Sequence, residues 1–252
     1  MKFDDLKKLH QKKYRSDLGH FLVEGEHLVL ELQKAAATHA HWNSSELYVT
    51  ARHQQWRSPF PVNVISERQM QQLTDTKTPQ GIVAVAPMPP AGGDANRQAV
   101  SPTRPERAIY LYEVQDPGNL GTVLRTLAWL GGFRCVLSPG SVDPYNSKVV
   151  RASMGAIFHL PIELDVPLQA LPRRFARIAR LDLHGECLPA AGFASFDCYL
   201  FGNEARGLPR EALDGIDTQP FTIAGTGSIE SLNLASAVNM CAYELNRMPT
   251  SR

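Results

Sequence analysis

Hydrophobic and polar positions form short, regular blocks over residues 21–86. The stretch EGEHLVLELQKAAA at 24–37 repeats apolar residues every three or four positions, which predicts an amphipathic helix, and ERQMQQL at 67–73 predicts a shorter one. The blocks rich in β-branched and other apolar residues predict strands, namely FLVEG at 21–25, ELYVT at 46–50, VNVIS at 62–66 and GIVAVA at 81–86. Together these blocks predict a small α/β module.

This pattern stops at Pro87 and resumes after Arg107. The intervening MPPAGGDANRQAVSPTRPER is rich in Pro, Gly, Ala and charge and has no apolar period, which is typical of a linker. The sequence therefore predicts one domain at residues 1–88, a linker at 89–107 and a larger domain at 108–252.

Strand-like and helix-like blocks alternate through the larger domain. The predicted strands are AIYLYEV at 108–114, FRCVLS at 133–138, AIFHLPIEL at 156–164, ARLDLHGE at 179–186, YLF at 199–201 and PFTI at 220–223. The predicted helices are GNLGTVLRTLAWLG at 118–131, SKVVRAS at 147–153, PLQALPRRFARIA at 167–179 and the stretch after Ser231. This alternation predicts an α/β fold with a mostly parallel sheet covered on both faces.

Glycines and polar side chains concentrate where three of these strands end, in QDPGNLG, FGNEARG and IAGTGSIESLN. Loops at the carboxyl ends of parallel strands commonly form one ligand site, so we expect a shared pocket. Its candidate residues are Asn119, Arg125, Glu204, Ser231 and Asn233.

Each candidate also has a purely structural interpretation. Asn119, Ser231 and Asn233 can cap helices, Arg125 can be a surface cation, and Glu204 can be a solvated residue at a helix entry. The glycines in the first loop can serve close approach of backbone either to backbone or to a ligand. A dinucleotide fingerprint GxGxxG and a hydrolase GxSxG are both absent from the sequence, which argues against those two classes.

Charge is unevenly distributed in a chain whose net charge is only +1. The first twenty residues are rich in Lys and Arg, and such an arm can bind phosphates, although a solvated helix face is the alternative. Lys12, Lys13 and Arg15 are the candidate phosphate contacts in this arm. Four cysteines without metal-ligand spacing argue against zinc or a disulfide framework, so no metal is expected. The absence of a long apolar run and of a signal core predicts a cytoplasmic protein without a membrane span.

Four segments resemble, in order and spacing, the three signature motifs of the SpoU (TrmH) family of RNA ribose 2′-O-methyltransferases, within the SPOUT superfamily. These segments are DPGNLGTVLRT, SKVVRASMGAIF, LFGNEARGLP and IAGTGSIESLNLASAVNMCAYEL. The N-terminal module, with LVEGEHLVLEL, resembles the L30e-like substrate-binding domain of many members.

The resemblance implies a C-terminal SPOUT domain with a deep trefoil knot, an exception to the rule of unknotted chains. It implies that S-adenosylmethionine binds in the knot, with Gly202, Ile223 and Leu232 at the matching cofactor positions. It also implies a homodimer in which Arg125 serves a site containing the partner subunit's loops. This chain departs from relatives at Ile223 to Gly225, where IAG stands, and at Arg206, which adds positive charge at the rim of the pocket.

The family's catalytic positions correspond to Asn119, Arg125, Glu204, Ser231 and Asn233. The family role of general base for Arg125 conflicts with the strong basicity of a guanidinium, which stays protonated at neutral pH, whereas phosphate binding or stabilisation of charge requires no deprotonation. The implied substrate is ribosomal RNA, with tRNA as an alternative. A knotted RNA-binding protein without activity and a nucleotide-dependent Rossmann-like enzyme are the rival functions.

Overall fold

The computed structural model describes residues 1–90 and 106–247, which form two β-sheets with helices around them. Most of the predicted linker, residues 91–105, and the last residues, 248–252, lie outside the described part. The strands of one sheet precede residue 88, and those of the other follow residue 106.

The N-terminal sheet has four strands in the order β1-β4-β2-β3. Strand β4 pairs antiparallel with both of its neighbours, and β2 pairs parallel with β3. The strands are β1 (His20–Glu24), β2 (Glu46–Val49), β3 (Val62–Val64) and β4 (Ile82–Pro87). The helices are α1 (Phe3–Lys8), α2 (Lys12–Leu18), α3 (Glu26–Thr38) and α4 (Glu67–Leu73). The four strands predicted for this part are confirmed, and so are the two predicted helices, α3 and α4.

The C-terminal sheet has six strands in the order β10-β8-β9-β5-β6-β7, and every pairing in it is parallel. The strands are β5 (Arg107–Leu111), β6 (Phe133–Leu137), β7 (Ile162–Glu163), β8 (Ile178–Cys187), β9 (Cys198–Phe201) and β10 (Gln219–Thr222). The helices are α5 (Pro117–Leu130), α6 (Ser147–Ala152), α7 (Leu171–Arg174) and α8 (Leu234–Arg247). The predicted α/β class and parallel sheet are confirmed.

Two predicted elements of this domain were wrong. Residues 156–164 form a 3₁₀ turn at Ala156–Phe158 and only the two-residue strand β7, because the turn and Pro161 interrupt the run. Residues 167–179 form a 3₁₀ turn and the four-residue α7 rather than one helix. Their apolar spacing looks helical, but Ile178 is buried as the first residue of β8, paired with Cys198.

A single apolar core continues from one sheet to the other. The fully buried Trp42 donates its indole N–H to the carbonyl oxygen of Phe158 at 3.2 Å, and the two rings lie 5.3 Å apart edge to face. Phe21 of β1 packs against Phe158 and against Tyr145. The N-terminal part is therefore packed onto the parallel sheet through large aromatic side chains, which carry much of the hydrophobic stabilisation of such a contact.

Buried ion pairs accompany this core. Arg15, only 4% exposed, donates to the Asp143 carboxylate through Nε at 2.9 Å and through one N–H of Nη2, and its Nη1 donates to the carbonyl oxygens of Leu9 and His10. Because this guanidinium is enclosed and most of its donors are used within the protein, the structure argues against the predicted role of Arg15 as a phosphate contact for RNA. Lys12 and Lys13, on the same helix, are exposed.

Candidate functional site

The turn between β5 and α5 begins the site. Asp116 caps α5 by accepting the N–H of Asn119 at 2.7 Å, and Pro117 occupies the first helical turn, where no N–H is needed. The cap is therefore Asp116, and the Asn119 side chain remains available for other partners.

Glu204 joins this turn to the loop that follows β9. Its carboxylate accepts the backbone N–H groups of Gln115 and Asp116, each at 3.2 Å, and the side-chain amide of Asn119 at 3.3 Å. Hydrogen bonds to a charged carboxylate are stronger than hydrogen bonds between neutral groups, and three of them converge here. Glu204 is thus a structural link between two strand ends as well as a candidate catalytic group.

Asn233 brings the third loop to the same place. Its Nδ2 donates to Oδ1 of Asn119 at 2.9 Å, while its own Oδ1 accepts the N–H of Ser236 at 3.2 Å and caps α8. The expected capping role of Asn233 and its expected place in the shared pocket are therefore both observed. Asn119, Glu204 and Asn233 form one hydrogen-bonded network.

This network lines a cleft of about 380 Å³. The lining residues are Gln115, Asp116, Asn119, Asn203, Glu204, Ala205 and Asn233. Sequence reasoning missed Gln115 and Asn203. Asn203 is buried and donates to the carbonyl oxygen of Glu113 at 2.7 Å, and its place beside Glu204 in the GNE motif was the signal that could have identified it.

Arg125 and Ser231 do not join this network within the chain. Both are exposed, and neither side chain has a hydrogen bond or ion pair to any other described residue. Arg125 follows Asn119 by six helical positions, which places it about 9 Å further along α5 and roughly two-thirds of a turn around it. Trp129, one turn later on the same exposed face, is 88% exposed.

The expected cofactor positions lie at the carboxyl ends of β9 and β10. Gly202 and Ile223 are half-buried there, and Leu232 is 42% exposed in the loop before α8. A Cβ on Gly202 would meet the backbone of Gly207 at 2.4 Å and of Leu208 at 2.6 Å. The space on the Cβ side of Gly202 is thus filled by the chain's own turn.

The loop 224–232 is exposed throughout, and no backbone group in it is hydrogen-bonded to the described residues outside the loop. Unpaired backbone donors and acceptors next to the half-buried Ile223 and the exposed Leu232 suit a nucleoside held by backbone groups and apolar contacts. The residues present therefore fit an adenosine-type cofactor.

Residues 1–90 and 106–247 contain neither a candidate metal site nor a helix suited to crossing a membrane. No group of three or more His, Cys, Asp or Glu side chains is arranged to bind a metal ion. No helix there has both the length and the apolar character that crossing a membrane requires.

Two family profiles match separate parts of the chain. The profile of the SpoU rRNA Methylase family matches residues 106–243, and that of the MRM3-like substrate binding domain matches residues 2–84. The 23S rRNA (guanosine(2553)-2′-O)-methyltransferase RlmP of Bacillus subtilis is 31% identical over 97% of this chain and 95% of its own length.

Solved structures agree with these matches. A TrmH-family protein from Porphyromonas gingivalis superposes with a TM-score of 0.78 at 29% identity, over 97% of this chain and 96% of its own. An AdoMet-bound rRNA methyltransferase from Sinorhizobium meliloti superposes with a TM-score of 0.77 at 26% identity, over 97% and 94% of the two chains. The resemblance seen in the motifs is confirmed, and the chain belongs to the SpoU rRNA methylase family.

Proposed function

We propose that this protein transfers a methyl group from S-adenosylmethionine to a ribose 2′-hydroxyl of ribosomal RNA. The observation that carries the proposal is the network of Asn119, Glu204 and Asn233, which come from three loops and meet at one edge of the parallel sheet. Family membership supports the reaction class, and the names of the RlmP and AdoMet-bound relatives support the RNA and the cofactor.

The chemistry requires orientation of a weak nucleophile. A ribose hydroxyl must lie in line with the bond that breaks, and its proton must be removed. S-adenosylmethionine, when bound, supplies the electrophilic methyl group. Asn119 donates one of its two amide hydrogens to Glu204 and accepts from Asn233, so the amide is fixed while its second N–H is left for a ribose oxygen.

The cofactor is assigned to Gly202, Ile223 and Leu232 with the exposed loop 224–232. The path of the chain supports a trefoil knot in this region. Strand β10 lies at the sheet edge beside β8, yet Asn233 reaches Asn119 at the start of α5, the helix that follows β5, beyond β9. The segment from β9 to β10 runs in the opposite direction across the sheet, which is compatible with a threaded chain.

A homodimer completes the site in this proposal. Helices α5 and α8 pack together, and each leaves an exposed face that carries large apolar side chains, Trp129 on α5 and Met240 and Tyr243 on α8. Exposed apolar patches of this kind mark association surfaces. Arg125 shares the face of Trp129, so in this proposal a dimer that buries this face brings Arg125 towards the cleft of the partner subunit. The exposed Ser231 is proposed to act at the same cleft. There the guanidinium binds a phosphate or stabilises developing charge.

The N-terminal part holds the RNA. Its match to a substrate-binding domain and the exposed Lys12 and Lys13 support this role. A division of the chain at about residues 88 and 108, and a cytoplasmic location, complete the proposal.

Mapping of 2′-O-methyl groups in ribosomal RNA and tRNA, with and without the gene, tests the proposed function. We expect loss of one methyl group from ribosomal RNA and its return with the wild-type gene. Loss of a methyl group from tRNA alone would show that tRNA, and not ribosomal RNA, is the substrate. An unchanged map would contradict the transfer activity. If the map is unchanged, calorimetry with S-adenosylmethionine tests whether the protein is an RNA-binding protein without activity. Absence of cofactor binding favours that rival function.

A further inference from the structure

Glu113, just after β5, has a backbone conformation that is unusual for its residue type. Its φ is +48°, in the left-handed region where a non-glycine residue is strained. The surrounding loops hold it there. Its N–H donates to Oγ of Ser138 at 2.7 Å, and its carbonyl oxygen accepts from the side-chain amides of Gln115 at 3.0 Å and Asn203 at 2.7 Å.

The strained backbone directs the Glu113 carboxylate to Arg206. One guanidinium N–H of Arg206 donates to this carboxylate at 2.8 Å, although the Arg206 side chain remains 69% exposed and that of Glu113 32% exposed. Exposed ion pairs contribute little to stability, so stability alone does not explain a strained glutamate at this position.

Arg206 is held at the rim of the cleft by its own turn. Oδ1 of Asn203 accepts the N–H groups of Ala205 at 3.0 Å and of Arg206 at 3.1 Å, and Asn203 and Gly207 exchange backbone hydrogen bonds at 3.0 and 2.9 Å. Glu204 and Ala205, which line the cleft, lie within this same turn. The guanidinium therefore extends from a rigid base next to the network of Asn119, Glu204 and Asn233.

The same strand edge leads from Arg206 to the basic N-terminal helices. Lys12 lines a narrow crevice together with Ser138 and Ser141, and Ser138 is the residue that accepts the N–H of Glu113. The order along this edge is thus Lys12, Ser138, Glu113, Arg206 and the cleft, which places the exposed cation Arg206 between the basic arm and the cleft.

We propose that Arg206 binds a phosphate of the RNA strand that runs from the arm to the cleft, and that Glu113 holds the guanidinium until that phosphate displaces it. This inference rests on the proposed function, since it concerns the path of the same substrate. Arg206 is a binding residue in this scheme. Glu113 sets selectivity, because its carboxylate opposes any RNA that does not present a phosphate to Arg206.

The test is RNA binding by the full-length protein at several salt concentrations, with unmodified large-subunit ribosomal RNA transcribed in vitro as the probe. Arg206→Gln should weaken binding several-fold and reduce the slope of log affinity against log salt by about one. Arg206→Lys should restore most of the slope, and Glu113→Gln should tighten binding because the competing carboxylate is gone.

Arg247 and Glu244 provide the matched control. They form an exposed ion pair of the same kind at the far end of α8, with Nη2 and Oε1 2.7 Å apart. Arg247→Gln and Glu244→Gln should leave affinity and salt slope unchanged. The inference would be overturned if Arg206→Gln had the same slope of log affinity against log salt as Arg247→Gln. It would also be overturned if Glu113→Gln bound RNA more weakly than the wild type.

The outcome is distinguishable from failure of the proposed function. Binding of S-adenosylmethionine and methyl transfer by the wild-type protein test the function. A wild-type protein that methylates RNA, combined with an unchanged slope for Arg206→Gln, removes only the role of Arg206.

Discussion

The amide of Asn233 donates to Oδ1 of Asn119 at 2.9 Å, across 114 positions of the chain. The bond connects the start of α8 to the start of α5, and each residue has a second bond that fixes its orientation, to Ser236 and to Glu204 respectively. One contact between two small amides therefore aligns the first and the last loop of the site.

Asn233→Asp isolates this contact, because an aspartate still caps α8 but presents an oxygen instead of a donor to Asn119. We expect helix content and thermal stability close to wild type, with methyl transfer reduced about 100-fold. Asn119→Ala should cause a similar loss, and the double variant should be little worse than either single one, since both act through one unit. Additive losses measured in single-turnover assays would contradict this coupling.

Arg125→Ala should abolish transfer and leave the protein folded, because the side chain is exposed and has no partner in the described part of the chain. The change in stability should be within about 0.5 kcal/mol. Mixing tests whether the arginine acts across the dimer. Equal amounts of Arg125→Ala and Glu204→Gln subunits should recover about a quarter of wild-type activity if each site takes Arg125 from its partner subunit. No recovery in verified mixed dimers would assign Arg125 to its own cleft.

Gly202→Ala should destabilise the protein by about 1–3 kcal/mol, because the new methyl group overlaps the backbone of the following turn. Transfer should also fall, since that turn carries Glu204. Gly192→Ala is a suitable control, as an added Cβ there meets nothing within 4 Å and φ is −82°. Unchanged thermal stability of Gly202→Ala together with weaker binding of S-adenosylmethionine would instead indicate a ligand against this glycine.

Arg15→Ala should lower the free energy of unfolding by about 3–5 kcal/mol, because it leaves the Asp143 carboxylate buried without its partner. Arg15→Met combined with Asp143→Leu should recover much of that loss, since no buried charge remains. Chemical denaturation measures both. If Arg15→Ala alone were as stable as the wild type, water would have to reach the Asp143 carboxylate.

Lys12→Glu with Lys13→Glu should weaken RNA binding and flatten its salt dependence, by about one unit of slope for each lost phosphate contact. Lys34→Glu with Arg52→Glu makes the same change of charge at exposed positions elsewhere in the N-terminal part. Equal effects of the two pairs would indicate a general charge effect rather than a binding arm.

The sequence was sufficient for most elements of the fold and for the place of the site. The periodicity of α3 and the parallel alternation after residue 107 are local signals, and Asn119, Glu204 and Asn233 stood in loops that strand order brings together. Contacts between distant segments were not available from the sequence. The partner of Arg15 lies 128 positions away, and the obstacle beside Gly202 is a turn of the chain itself.

The spacing of apolar residues also gave a wrong prediction where a short helix and the start of a strand fit one helical period. Leu168, Leu171, Phe175 and Ile178 fit a helix, but pairing with β9 holds Ile178 in a strand. Asn203 was missed because its importance depends on a bond to Glu113, 90 positions earlier. Both cases are tertiary effects that override local preference.

The aromatic contact between Trp42 and Phe158 has a consequence for how one nucleotide is chosen. Because the two sheets share one apolar core there, the proposed RNA-binding surface and the proposed ribose cleft cannot change their separation without disrupting that core. We therefore expect the enzyme to select a nucleotide by its fixed distance from the RNA feature that the N-terminal part binds. Inserting base pairs between that feature and the target should abolish modification even when the base at the methylated position is unchanged.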